Sequence, residues 1–130
     1  MPSEAKHLSV SIGRPPAEVY EFLVNPENLP RWAAGLSGSI ANLDGEWIAD
    51  SPLGRIKVQF VPRNEFGVLD HDVTLPSGEV VTNPMRVLPN GDGSEVVFTL
   101  FRRQMTAVMF ADDAAAVLRD LQGLKDLLEG

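Results

Sequence analysis

Apolar and polar residues change rhythm twice along this chain. Near the start, Leu8, Val10 and Ile12 alternate with His7, Ser9 and Ser11, the period of a strand with one buried face. Arg14-Pro15-Pro16-Ala17-Glu18 then predicts a helix start. Proline is tolerated in a first turn, where its missing N–H has no helical partner anyway, and Glu18 suits the positive end of the helix dipole. Val19, Phe22 and Leu23 give that helix one apolar side. Asn25-Pro26 ends it, with Asn25 placed to cap a second short helix leading to Trp32.

From Leu36 the rhythm becomes that of strands and turns. Expected strands are Leu36–Leu43, Glu46–Ala49, Arg55–Val61, Val68–Leu75, Val80–Val87 and Glu95–Phe101. Between them lie Asp44-Gly45, Pro52-Leu53-Gly54, Pro76-Ser77-Gly78 and Asn90-Gly91-Asp92-Gly93, which are hairpin chemistry and imply an antiparallel meander. The tail changes again. Thr106 is placed as an N-cap, and Phe110, Ala114, Val117, Leu121, Leu124 and Leu128 recur at steps of three and four, one face of a helix. From Ala107 to Leu128 such a helix runs about 33 Å. Its stripe needs a surface to cover, and the concave face of the sheet is the one large surface on offer. The predicted class is α+β, a curved antiparallel sheet of about seven strands around a long C-terminal helix.

That element order, strand, two short helices, six strands and one long helix, resembles the START-related, birch-pollen-allergen-like (SRPBCC) superfamily of polyketide cyclases and lipid-transfer domains. The local match is Val19-Tyr20-Glu21-Phe22-Leu23-Val24-Asn25-Pro26-Glu27-Asn28-Leu29-Pro30-Arg31-Trp32, which looks like the superfamily's helix, Asn/Asp-Pro, helix, Trp opening. The resemblance implies the helix-grip fold and a cavity between sheet and helix; short loops imply that the cavity is small. It implies less about function, because members bind lipids, hormones or polyketides, some catalyse cyclisation and some regulate other proteins. The cone-shaped barrel of steroid-isomerase-like proteins ranks behind it, since those place long helices first.

Composition narrows the field. A length of 130 residues is one domain's worth, so residues 1–130 are read as a single domain. The absence of cysteine removes disulfides, thiolate metal sites and cysteine nucleophiles. A formal net charge of -7, with no basic run to offset it, argues against nucleic acid and anionic membranes as partners. The N-terminus has no apolar signal region and no stretch approaches the roughly 18 apolar residues of a membrane span, so a cytoplasmic location is expected. An open curved sheet leaves edge strands, which admits a homodimer.

Candidate chemistry is sparse. Leu69, His71, Val73 and Leu75 share one strand face, and Asp70 and Asp72 the other. Pairing this strand with Ile56, Val58 and Phe60 inward sets Lys57 opposite Asp70 and Arg55 opposite Asp72, or Lys57 opposite Asp72 at the neighbouring register. Either way Asp70 and Asp72 read as a solvated outer face crossed by Lys and Arg. His71 points inward, where it is either a hydrogen-bonded core residue or a polar contact for a ligand. One hairpin register sets His71 opposite Asn83 with Val81, Met85 and Val87 inward; the other turns Thr82 and Arg86 inward. The first buries more apolar surface and is preferred. Trp32 and Tyr20 are packing residues or ligand contacts, and Phe60, Met85, Phe98, Phe110 and Val117 are core or lining. Asp112-Asp113 suits the start of the last helix, and Lys125 and Glu129 form an i,i+4 pair. His7 and His71 lie on distant strands without carboxylates at ligand spacing, so neither a metal nor another cofactor is expected. The expected ligand-binding set is therefore Trp32, Phe60, His71, Asn83, Met85, Phe98, Phe110 and Val117, with no catalytic residue assigned. The favoured function is binding of a hydrophobic or amphipathic small molecule. The alternatives are a cyclase or dehydratase using His71 with Asn83 or Arg86, and a regulatory interaction domain with a vestigial cavity.

Overall fold

The computed structural model of the chain describes residues 1–33 and 38–130. The strand β1 (Ala5–Ile12) leads into helix α1 (Pro16–Val24), where Pro15 and Pro16 stand at the start as expected. Asn25 then accepts the Glu27 N–H through its side chain at 3.1 Å and caps a single 3₁₀ turn, Pro26–Asn28. Helix α2 (Leu29–Trp32) follows directly. Seven further strands come next: β2 (Ser39–Leu43), β3 (Glu46–Ser51), β4 (Gly54–Phe60), β5 (His71–Thr74), β6 (Val80–Asn83), β7 (Met85–Asn90) and β8 (Gly93–Phe101). The chain closes with helix α3 (Ala107–Glu129), capped by the Thr106 hydroxyl, which accepts the Met109 N–H at 3.1 Å. Leu36, at the head of the expected strand 36–43, lies outside the described residues.

The strands form a five-stranded sheet, β2-β3-β4-β5-β6, and a three-stranded sheet, β1-β8-β7, all antiparallel. The eighth strand arises at Pro84. Proline cannot donate to a ladder, so it splits the expected strand Val80–Val87 into β6, which pairs with β5, and β7, which pairs with β8. The alternation survives the break, with Met85 and Val87 buried and Arg86 turned outward. Stitches hold the two sheets together at this bend: Thr99 N–H donates to the Pro84 carbonyl at 3.0 Å, and Leu69 N–H to the Met85 carbonyl at 2.9 Å. Val87 N–H donates to the Gly67 carbonyl, also at 2.9 Å, and here the backbones approach closely. Gly67 has φ +70°, and a Cβ on it would sit 2.2 Å from the Val87 carbonyl oxygen, so a side chain is excluded.

The register of β4 against β5 corrects the expected charge pairs. Phe60 faces His71 and Lys57 faces Thr74, which keeps the apolar faces matched but shifts Asp70 beyond β4's partners and Asp72 opposite Gln59. Residues 61–70 are the cause. They are a loop built on Asn64, whose side chain accepts the N–H groups of Phe66 and Val68 and donates to the carbonyls of Pro62 and Val68. The expected strand Val68–Leu75 is accordingly shortened to His71–Thr74. Lys57 pairs with Glu46 instead, at 2.9 Å, and Arg55 lies opposite Asp50 on β3. Asp70 pairs with Arg86, and Asp72 accepts from the Thr82 hydroxyl at 2.6 Å.

α3 lies against β1, β8 and α2. Phe110, Ala114, Leu121 and Leu124 from its stripe join Ile12, Val19, Leu23, Leu29, Ile56, Leu69, Met85 and Val96 in one core. Its C-terminal end is clasped to the turn after β1. Glu129 accepts the Gly13 N–H and pairs with Lys125, both at 2.7 Å, while Arg14 Nε donates to the Leu128 carbonyl at 2.9 Å. The expected Lys125–Glu129 pair is thus part of a tie between helix and sheet.

Candidate functional site

Between α3 and the concave sheet face is a cavity of about 230 Å³. α2 contributes Leu29 and Trp32, β5 His71 and Val73, β6 Val81 and Asn83, β8 Phe98 and Leu100, and α3 Val117 and Asp120. The walls are mainly apolar and the volume falls below the roughly 300–1,000 Å³ of drug-sized sites. Leu53, on the β3–β4 turn, stands exposed at its rim.

The polar groups inside are few, and several are unpartnered. Trp32 is only 7% exposed, yet its indole Nε1–H is fully shielded from solvent and has no hydrogen-bond partner among the described residues. Such a donor is costly to leave unpaired away from water. His71 is 3% exposed and directly opposite Asn83. Burial holds its pKa below the ordinary histidine value, against the raising influence of the Leu69 carbonyl and of Asp70 and Asp72. The ring is therefore neutral at pH 7. Its Nδ1 lies 3.1 Å from the Leu69 carbonyl oxygen, which can only accept, so Nδ1 carries the proton. That leaves Nε2 as an acceptor, without a partner among the described residues. Phe60 and Phe98 flank the ring at centroid distances of 4.9 and 6.0 Å and fix its plane. The Asn83 amide also has no partner among the described residues.

The structure thus brings Trp32, His71, Asn83, Phe98 and Val117 to one wall system. It does not bring Phe60, Met85 or Phe110 there. Phe60 supports His71 from behind and lines a separate hollow, Met85 is fully buried in the core, and Phe110 is buried beneath the Lys6 ammonium, 5.0 Å from its ring centroid. Of the alternatives at the β6 strand, Asn83 lies on the cavity wall opposite His71, and Thr82 also borders the cavity while its hydroxyl donates to Asp72. Arg86 pairs with Asp70 on the outer face. Tyr20 packs in the core and its hydroxyl accepts the Asn64 N–H at 2.9 Å.

Asp120 was not among the expected residues. It is half-buried on the cavity side of α3 and forms no hydrogen bond or ion pair among the described residues. Desolvation raises its carboxyl pKa to about 6, against the lowering influence of the neighbouring Arg119. Its signal was present in the sequence. Asp113, Val117, Asp120 and Leu124 follow steps of four, three and four, so two carboxylates ride the edge of the apolar stripe.

A small α+β domain with a helix closed over a curved sheet, and a cavity between them, is the architecture of the helix-grip proteins. The sequence model for the family described as polyketide cyclase / dehydrase and lipid transport matches residues 7–129, and the chain belongs to that family. No curated protein is similar enough in sequence to count as a relative. Solved structures agree on the fold. DynU16, a protein of the dynemicin biosynthetic locus, is 16% identical with a TM-score of 0.73 over 98% of this chain. This chain spans about half of that protein, 48% of its length. Ara h 8.0201 is 13% identical with a TM-score of 0.67, covering 98% of this chain and 99% of its own. The Aha1 dimer from Colwellia psychrerythraea is 18% identical with a TM-score of 0.72, covering 97% of this chain and 96% of its own. Among the described residues no helix is long and apolar enough to cross a membrane, and no group of three or more His, Asp or Glu side chains has metal-binding geometry.

Proposed function

We propose that this protein binds a small amphipathic molecule in the cavity between α3 and the sheet. The observation that carries the reading is the buried, unpartnered Trp32 indole N–H on an otherwise apolar wall. An apolar ligand body would replace the contacts that an open cavity forgoes, and one oxygen on it would accept from Trp32. The neutral His71 ring offers the complementary acceptor, so a hydroxyl group suits both. An open interior supports binding over the alternative of a regulatory domain with a filled one. Catalysis asks more, namely groups converging on one reacting atom, and His71 with Asn83 across the β5–β6 ladder supplies the nearest such pair. Self-association through the edge strands β1 and β2 is compatible with this function, because neither edge strand contributes to the cavity wall.

The test uses the two tryptophans. Trp47 lies outside the cavity, so a Trp47→Phe variant leaves Trp32 as the sole reporter. Titration with decanol is expected to change its emission saturably, and native mass spectrometry to show a mass increment that is lost on denaturation. A linear, non-saturating response together with an unliganded mass would overturn the reading.

A further inference from the structure

We propose that the cavity selects amphipathic ligands bearing a protonated amine, with the ammonium seated against Asp120 and the apolar body reaching inward along the wall formed by Val117 and Phe98. This rests on the reading of the cavity as a ligand site and narrows its chemistry.

Three observations meet here. Asp120 is a half-buried carboxylate on the cavity wall with no hydrogen-bond or ion-pair partner among the described residues. A carboxylate drawn partly out of water and left unpaired is unfavourable until a cation or donor meets it. The surrounding charge also favours a cation. Asp113 lies on the same side of α3, one turn beyond Val117. Arg103, the one cationic side chain on the wall among the described residues, is held by Glu79 at 3.1 Å, and its backbone N–H is held by the Ser3 hydroxyl at 2.8 Å. His71, facing from β5, is neutral at pH 7. Arg119 follows on α3 but is exposed and does not pair with Asp120. A chain with formal charge -7 adds a long-range field of the same sign. The third observation is independent of these charges. The Trp32 Nε1–H, nine-tenths buried on the same wall, needs an acceptor. A ligand with an apolar body, an ammonium and an oxygen or other acceptor would satisfy both Asp120 and the Trp32 Nε1–H. A carboxylate ligand would meet Asp120 and Asp113 at close quarters and be repelled.

The experiment titrates decylamine, decanol and decanoate, each below its micelle concentration, into the intact chain at pH 7.5. Binding is followed by calorimetry and by Trp32 emission in Trp47→Phe. Decylamine is expected to bind about tenfold tighter than decanol, the size of a charge-assisted hydrogen bond, with decanoate weakest. Asp120→Asn is expected to bring the amine down to the level of the alcohol. On the unmodified chain the amine preference is expected to fade as pH falls through about 6, where Asp120 takes up its proton. An alkylammonium stays charged throughout this range. His71 also titrates below its ordinary value, so Asp120→Asn assigns the midpoint: the pH dependence of the amine preference is expected to vanish in that variant. Equal affinity for amine and alcohol, or decanoate binding as well as decylamine, would overturn the amine preference while leaving the cavity reading intact. Saturable binding by none of the three would overturn both.

Discussion

Two hollows on this molecule have similar size and opposite character. The one under α3 measures about 230 Å³ and the other about 300 Å³. The larger lies between β3, β4 and the segment after α1, lined by Val24, Pro26, Trp47 and Phe60. Its charges are already matched, since Lys57 and Glu46 on its wall pair at 2.9 Å. Under α3 the reverse holds: a buried indole N–H, an imidazole nitrogen and a carboxylate all lack partners among the described residues. Volume alone would not choose the hollow proposed as the ligand site. Unsatisfied polar groups on apolar walls are the better guide, because only there does a ligand recover free energy that the empty protein forgoes.

Undocking α3 is expected to have the largest effect, because that helix roofs one hollow and takes no part in the other. Leu121 is fully buried in the core beneath the helix. Leu121→Ala is expected to destabilise the fold by about 2–5 kcal/mol through lost transfer energy and the void left behind. Urea unfolding measures this directly, and a loss under 1 kcal/mol would mean that α3 is held by its terminal clasp and not by its stripe. A subtler perturbation fills the cavity without removing core. Ala116 lies half-buried on the cavity wall, and Ala116→Trp is expected to weaken decanol binding about tenfold or more by occupying the ligand's space. The same bulk at Gln59, in the other hollow, is expected to leave affinity unchanged. Equal effects at both positions would erase the distinction between the two hollows.

The difference between the hollows was only partly visible in the sequence, and the reason differs by residue. The α3 stripe, the Asp44-Gly45 turn and the His71–Asn83 pairing follow from local periodicity and turn chemistry, and the structure contains all three. The β4–β5 register does not, because it depends on how many residues the Asn64 loop consumes. That count is set by side-chain hydrogen bonds within the loop, which no alternation pattern encodes. The split at Pro84 was readable from the missing N–H, but a continuous alternation from Val80 to Val87 hid it. Asp120 was overlooked for a related reason. Reading a helix as an apolar stripe on a polar background assigns every aspartate to solvent, whereas a residue at the stripe's margin faces whatever space the sheet leaves open. The free Trp32 N–H lies beyond sequence reasoning altogether, since it is an absence of contact that only three-dimensional placement creates.

Titration separates the two hollows as well, because the cavity under α3 holds two groups whose shifted pKa values act on stability with opposite signs. Asp120 has a folded pKa raised from 3.8 to about 6, so the native state binds more protons between those values and ionisation costs stability as pH rises through them. The full shift corresponds to about 3 kcal/mol, which solvent screening of a half-exposed group reduces to about 1 kcal/mol. Asp120→Asn is therefore expected to stabilise the protein by about 1 kcal/mol at pH 7, with the gain shrinking below pH 6 and gone near pH 3.5. Denaturant titrations across that range check it, and a gain independent of pH would remove the assigned cause. His71, with a lowered pKa, works the other way. The unfolded state binds its proton first, so its contribution is present above pH 6.5 and is lost on acidification. His71→Phe is expected to flatten that part of the profile. It also removes the Nε2 acceptor, which should weaken decanol binding by about 1 kcal/mol. An unchanged affinity would leave His71 a core residue only.

The smallest effect is expected in the satisfied hollow, and it is the control on which the comparison rests. Glu46→Gln removes the partner of Lys57. The Glu46 side chain is 56% exposed, so water and counter-ions replace the lost contact at little cost. The change in stability is expected to stay below about 0.5 kcal/mol and to vanish in high salt, and decylamine affinity is expected not to move. If Glu46→Gln weakened amine binding as strongly as Asp120→Asn, the negative charge that matters would be the chain's general field, acting at any acidic position. Asp120 would then be one contributor among many and not the seat of the ammonium. A flat response at Glu46 beside a large one at Asp120 would place the recognition at a single unpaired carboxylate on the cavity wall.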